Sequence, residues 1–188
     1  MARLTAVILA AGKGTRMVSD LAKVLHNVNG RPMLSYVIDA ARGAGADNIL
    51  LVVGHGADQV KEVYGDDCLY CMQMPQLGTG HALQVALPYL PADCEDIMVI
   101  CGDTPVISAE TLSDFYLYYK KSDVSATVLA AELADPGGYG RIVRGADGNV
   151  ERIVEQRDAS EQEKQIKEIN TGAYCFRLQD VAEVIADL

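Results

Sequence analysis

The feature that most constrains this chain is an abrupt change of character near its start. Leu4-Thr5-Ala6-Val7-Ile8-Leu9-Ala10-Ala11 is an almost unbroken apolar run, and Gly12-Lys13-Gly14-Thr15-Arg16 follows at once. An apolar run this short, closed by glycine, predicts a strand buried on both faces, the environment of a parallel sheet. The two glycines let the backbone turn sharply and let amide N–H groups approach a ligand. Lys13 and Arg16 put positive charge beside those amides. A loop of this kind at the carboxyl end of a first strand suits the cradling of phosphates. It is neither of the two commoner phosphate loops. Gly14 follows Lys13 where a Walker loop needs Ser or Thr, and Met17 stands where the dinucleotide fingerprint needs its third glycine. Glycines alone would read as an ordinary strand-to-helix turn; Lys13, Arg16 and, further on, Lys23 favour phosphate.

The rest of the chain alternates. Pro32 to Ala44 predicts a helix, with Met33, Val37, Ile38 and Ala41 at helical spacing. Asn48 to Val53 predicts a strand, and Asp58 to Tyr64 a short helix capped by Asp58. Cys68 to Met72 predicts a strand, Gly80 to Leu87 a helix, and Asp96 to Cys101 a strand ending in Gly102-Asp103-Thr104-Pro105. Ser108 caps the next helix with Glu110 in its first turn, and Val124 to Ala131 predicts a strand. This order predicts an α/β fold: a mostly parallel, doubly wound, Rossmann-like sheet with helices on both faces. Ligands in such folds bind beyond the carboxyl ends of the strands, where Gly12–Gly14, Gly54–Gly56 and Gly102-Asp103 all fall. After residue 131 the pattern changes. A loop from Asp135 leads into strands near Ile142 and Glu151–Glu155, joined by a hairpin turn at Ala146–Asn149. A polar excursion over Asp158–Lys167, a strand over Ile169–Phe176 and a helix from Leu178 follow.

The totals exclude some classes. The chain has 188 residues and a net charge of −10, which argues against a non-specific nucleic-acid or anionic-membrane surface. No stretch approaches the ~20 apolar residues of a membrane span, and the N-terminus does not read as a secretory signal. Five scattered cysteines read as reduced thiols of a cytoplasmic protein. Cys68-Leu69-Tyr70-Cys71 reads as two small strand residues, since no second pair accompanies it.

Asp103 directly follows an apolar strand, so its carboxylate is held at the ligand edge of the sheet. It reads either as a turn former before Thr104-Pro105 or as a ligand for magnesium on nucleotide phosphates; the phosphate loop at the same edge favours magnesium. His26, His55 and His81 lack metal spacing and read as hydrogen-bonded structural residues.

These residues carry a specific resemblance. Leu9–Met17 followed by Lys23-Val24-Leu25-His26 resembles the signature of sugar-phosphate nucleotidyltransferases. Gln76–Ala82, Gly102–Pro105, Gly138–Ile142 and Glu168–Gly172 narrow the resemblance. In this order they resemble the uridyltransferase half of the bifunctional bacterial N-acetylglucosamine-1-phosphate uridyltransferases and glucosamine-1-phosphate acetyltransferases, over almost the whole chain.

The resemblance implies that UTP and N-acetylglucosamine 1-phosphate give UDP-N-acetylglucosamine and pyrophosphate, in the cytoplasm, in cell-wall precursor synthesis. It implies catalytic roles for Arg16 and Lys23 and a Mg2+ ion on Asp103. Leu9, Ala10, Ala11, Gly12, Lys13 and Gly14 would hold the nucleotide, with Gln73, Gly78 and Thr79 around the uracil and its ribose. Gly102, Gly140, Glu155, Asn170 and Thr171 would meet the sugar. On the residues alone, Gly140 also reads as a turn, Glu155 as a solvated strand residue and Asn170 as a strand-end cap. Neither nucleic acid nor membrane is implied as a partner.

Two departures matter. The family has proline immediately before the catalytic lysine, and this chain has Ala22. The family's domain also continues past the position of Leu188, with an asparagine as second metal ligand, and then a β-helix carrying the acetyltransferase and building a homotrimer. The expectation is therefore a single, C-terminally truncated nucleotidyltransferase domain over 1–188, without the β-helix, monomeric, and binding nucleotide better than it turns over. The rival readings are a nucleotidyltransferase for another sugar phosphate or for dTTP, and a non-catalytic nucleotide-sensing domain.

Overall fold

The computed structural model describes residues 3–14, 17 and 19–185. The elements in chain order are β1 (Arg3–Leu9), β2 (Asn27–Val28), β3 (Arg31–Pro32), α1 (Met33–Gly43), β4 (Asn48–Val53), α2 (Ala57–Tyr64), β5 (Leu69–Met72), α3 (Thr79–Ala86), β6 (Cys94–Cys101), α4 (Ala109–Ser122), β7 (Ala126–Glu132), β8 (Arg141–Arg144), β9 (Val150–Val154), β10 (Glu168–Arg177) and α5 (Leu178–Ile185). They divide into two compact units, residues 128–173 forming the second and the remainder the first.

The first unit is the predicted mostly parallel sheet, in the order β5-β4-β1-β6. β1 lies between β4 and β6, both parallel to it, with Val7 opposite Leu50 on one side and Val99 on the other. Ala6, Val7 and Ile8 are fully buried, as a central strand covered on both faces must be. One face holds Val7, Leu50, Val52 and Val99 against Leu83 and Ala86 of α3 and Ile185 of α5. Helices α1 and α4 pack against each other, with Leu34, Val37, Leu112 and Phe115 buried. The last four residues of β10 add an antiparallel strand beside β6, with Tyr174 opposite Val99.

Because β1, β4 and β6 are parallel and in register, their carboxyl ends meet. The Ala10 N–H donates to Val52 O at 2.8 Å and the Gly102 N–H to Leu9 O at 2.9 Å. Gly102 is a close-approach glycine: a Cβ there would meet Leu9 O at 3.1 Å and the Val24 side chain at 3.2 Å.

Local chemistry explains most boundaries. Ser108 caps α4, its Oγ accepting from the Thr111 N–H at 3.0 Å, with Glu110 in the first turn. Asp58 does not cap α2. That position belongs to Gly56 in the left-handed conformation, and Asp58 lies in the first turn. There it still suits the helix dipole. Asn29 and Gly30, both at positive φ, turn β2 into β3. An Asn-Gly pair is a strong short-range hairpin signal in a sequence.

Asp96 fixes α4 to the sheet. It is buried at the start of β6 and accepts from Lys120 Nζ at 2.7 Å and from the hydroxyls of Tyr116 and Tyr119 at 2.8 and 3.1 Å. Burial, followed by the nearby Asp96 carboxylate, raises both tyrosine hydroxyls far above their ordinary pKa.

The second unit is antiparallel. β8 and β9 form the predicted hairpin, with Ile142 opposite Ile153, and the Gly145 N–H donates to Asn149 O across the turn. The first part of β10 pairs with β8 at Ile169 and Arg141, and β7 also pairs with β10. The polar stretch before β10 contains a short 3-10 turn at Glu163–Gln165.

Candidate nucleotide site

A cavity of about 250 Å³ opens beyond the carboxyl ends of β1 and β6. Its walls bring together the predicted Leu9, Ala10, Ala11 and Gly12 from the first loop, Gln73, Gly78 and Thr79 from the α3 approach, and Lys23 and Asp103. Residues from four separate stretches of sequence therefore share one wall-to-wall space.

Lys23 and Asp103 form an ion pair, both side chains about one-third exposed. Each is held from behind. Lys23 opens a 3-10 turn, and its stem lies on Gly14, where an added Cβ would meet Lys23 Cβ at 3.0 Å. Gly14 has φ of 57°, so glycine is favoured there twice over. Asp103 follows β6, and the Thr104 hydroxyl ties the turn by donating to Cys101 O at 2.7 Å. The pair leaves Asp103 Oδ1 with no hydrogen bond among the described residues. One hard carboxylate oxygen at a cavity edge is the donor type magnesium takes, the remaining ligands coming from phosphate and water. Among the described residues no group of three metal-ligating side chains exists.

Ala22 is buried and extended at φ −52° and ψ 133°, and its N–H donates to Gln59 Oε1 at 2.8 Å. A hydrogen bond fixes here what a proline ring would fix covalently.

On the base side, Gln73 is 4% exposed. Its Nε2 donates to Gly78 O at 2.8 Å and lies 3.2 Å from His81 Nδ1. Gly78 has φ of 109° and stands at the N-terminal end of α3, where its carbonyl also accepts from the Ala82 N–H. The Gly78 N–H donates no hydrogen bond among the described residues. Gln76, which sequence reasoning placed only within a motif, donates from Nε2 to Ala11 O. Gly54 makes room for it: a Cβ there would come within 2.6 Å of that Nε2.

The other predicted residues lie elsewhere. Lys13 is exposed and lines a second, wider cleft with His55 and Gln76. Arg16 lies outside the described residues. Gly102 is buried behind the cavity wall against Leu9 and Val24. Gly140, Glu155, Asn170 and Thr171 belong to the second unit. Within it, the Asn170 N–H donates to Gly140 O at 2.9 Å, and Glu155 Oε1 would meet a Cβ on Gly140 at 3.2 Å. Asn170 and Thr171 sit inside β10 rather than at a strand end, and the Thr171 hydroxyl donates to Leu129 O. Cys101 and Val24 also line the cavity and were missed; one ends a strand and the other sits in an irregular stretch, and nothing in the pattern marks either.

The histidines differ from one another. His81 holds Gln73, His55 is exposed in the second cleft, and His26 is hydrogen-bonded through its main chain to Lys23 and Met33, its Nε2 enclosed without a partner among the described residues. The Cys68 and Cys71 thiols are buried, and burial raises both, Cys71 to about 11. Cys71 is an inert strand residue, as the sequence suggested, while Cys68, equally inert, lies in the bend just before β5. No described helix is long and apolar enough to cross a membrane.

Residues 6–166 match the family described as the MobA-like NTP transferase domain. The chain is 50% identical over 185 residues to the bifunctional protein GlmU of Acetivibrio thermocellus, covering 98% of this chain and 40% of that one. It is 53% identical over 176 residues to the GlmU of Halalkalibacterium halodurans, covering 94% and 39%. The chain thus spans about 40% of the length of these relatives. Among solved structures it resembles a putative glucose-1-phosphate thymidylyltransferase from Bacillus anthracis, with TM-score 0.82 and 19% identity over 96% of this chain and 74% of that one. It also resembles a UDP-glucose pyrophosphorylase complexed with UDP-glucose, with TM-score 0.79 and 19% identity over 100% and 80%. At that identity the likeness is one of fold.

Proposed function

The chain belongs to the MobA-like NTP transferase family, and from that premise we propose that it transfers a uridylyl group from UTP to N-acetylglucosamine 1-phosphate. The observation that carries this reading is the Lys23–Asp103 ion pair in the cavity beside Gln73, Thr79 and Gly12, in a chain about half identical to GlmU proteins.

In the proposed reaction an oxygen of the sugar phosphate attacks the α-phosphorus of UTP in line. The new P–O bond forms as the bond to the β-phosphate breaks, and pyrophosphate leaves. The attacking phosphate is already ionised, so no general base is needed. The protein's work is positioning and charge neutralisation. Lys23 moves from Asp103 toward the reacting phosphates and neutralises them. The amides of Gly12 and Gly14, with Lys13 and Arg16, hold the triphosphate. Asp103 would hold Mg2+, which when bound neutralises phosphate charge.

Uracil offers one N–H donor and two carbonyl acceptors. Gln73, the Gly78 N–H and the Ala11 backbone supply the complementary groups, and Thr79 meets the nucleotide. We assign the sugar hydroxyls and N-acetyl group to Gly102, Gly140, Glu155, Asn170 and Thr171. The enzyme so read is cytoplasmic and takes small-molecule substrates.

The test is pyrophosphate release from UTP and N-acetylglucosamine 1-phosphate with Mg2+. Release that requires both substrates and the metal supports the proposal. Equal release with glucose 1-phosphate, or none with any sugar phosphate while UTP binds, refutes it.

A further inference from the structure

Resting on that nucleotide reading, we propose that His81 is a specificity-determining positioning residue: with the Gly78 carbonyl it occupies both amide hydrogens of Gln73, so that Gln73 shows the cavity only its Oε1, an acceptor for a base N–H.

A carboxamide has two donor hydrogens on one side and an acceptor oxygen on the other, and a half-turn exchanges them with almost no change of shape. Its neighbours therefore decide what it presents. The Gly78 carbonyl, 2.8 Å from Gln73 Nε2, can only accept. That takes one hydrogen and sets the orientation. A single bond of this kind leaves the second hydrogen free to face the cavity as a donor. His81 Nδ1, 3.2 Å from the same nitrogen, accepts that hydrogen when the imidazole carries its proton on Nε2. Turning the amide over then breaks two hydrogen bonds rather than one.

The oxygen end is open. Gln73 Oε1 makes no hydrogen bond among the described residues, and it is not among the enclosed polar atoms that lack a partner. Gln73 lines the cavity, so that is where an unpaired, accessible Oε1 is met. The Gly78 N–H is also unused among the described residues and belongs to the same bonded pair of residues. The wall thus offers one acceptor and one donor side by side. A pyrimidine-2,4-dione, uracil or thymine, offers N3–H beside a carbonyl and matches them. Cytosine carries a lone pair at N3 and meets Oε1 acceptor to acceptor, leaving both desolvated and unpaired.

The test is calorimetric binding of UTP, dTTP and CTP with Mg2+ to wild type, His81→Phe and His81→Gln. His81→Phe fills the space without an acceptor; His81→Gln restores one through its own carbonyl. We expect wild type to favour UTP over CTP by about 100-fold, as a lost base hydrogen bond with a buried unpaired acceptor implies. His81→Phe should cut that ratio about tenfold, leave the UTP-to-dTTP ratio unchanged, and be partly rescued by His81→Gln. If His81→Phe weakens all three nucleotides by one factor, or changes nothing, the role of His81 is overturned while the nucleotide site stands. If wild type binds no nucleotide, the reading of the cavity itself falls. His81→Ala with an unchanged melting temperature serves as a second variant should the phenylalanine fail to fold.

Discussion

Lys23 donates to Asp103 across 80 residues of chain, at the edge of a cavity walled by the first glycine loop. A partly exposed pair of this kind is worth about 0.2–1 kcal/mol of stability. Asp103→Ala should therefore barely move the melting temperature while abolishing metal-dependent turnover. Binding of UTP without metal should fall by less than about tenfold, since the amides and Gln73 remain. A mutant that keeps Mg2+-dependent pyrophosphate release would remove Asp103 from the metal site.

Ala22 supports Lys23 through the bond from its N–H to Gln59 Oε1. Ala22→Pro fits the existing φ of −52° but deletes that donor. The rigidity gained, about 0.4–1 kcal/mol, and the hydrogen bond lost, about 1 kcal/mol, nearly cancel. Gln59→Ala alone should raise KM for UTP several-fold by loosening the Lys23 turn; in the Ala22→Pro background it should do less, losing only the bond from Gln59 Nε2 to Asp20 O. Additive losses in that double-mutant cycle would show that Gln59 acts elsewhere.

Asp96 is the strongest stability prediction. Asp96→Ala strands three donors, two of them tyrosine hydroxyls, and should cost about 3 kcal/mol. Urea unfolding measures it, and a loss under 1 kcal/mol would mean that α4 is held mainly by its apolar contacts. The raised tyrosines also set a pH dependence. Their folded pKa lies above the unfolded one, so their contribution is complete below about pH 10 and is lost as pH rises beyond it. Tyr116→Phe should flatten part of that alkaline loss.

Cys68 and Cys71 should resist a thiol reagent at pH 8 until the protein unfolds, because both are buried and held protonated. Rapid labelling of the native protein would overturn the inert reading.

Much of this was legible in advance. The run from Leu4 could only be a strand covered on both faces, and the three glycine segments at strand ends meet because β1, β4 and β6 are parallel. The end of β6 places Asp103 at that edge, but its pairing with Lys23 depends on the 3-10 turn that follows the first loop, which neither residue's spacing states. What was not legible depended on neighbours distant in sequence. Gln76 reaches Ala11 only because position 54 is glycine. Gly56, with its left-handed backbone, takes the cap of α2 two residues before Asp58. In sequence His81 reads as a generic helix-start residue; its place against Gln73 comes only with the fold. Capping and hairpin turns are local and readable; partners across the sheet edge are not.

The most direct measurement is calorimetric binding of UDP-N-acetylglucosamine, with UDP-glucose as control, in the presence and absence of Mg2+. The account predicts that the N-acetyl sugar binds at least about tenfold more tightly than glucose, the difference that a satisfied amide contact supplies, and that Mg2+ strengthens binding in wild type but not in Asp103→Ala. Equal affinity for the two sugars, or binding indifferent to Mg2+ in the wild type, would contradict it.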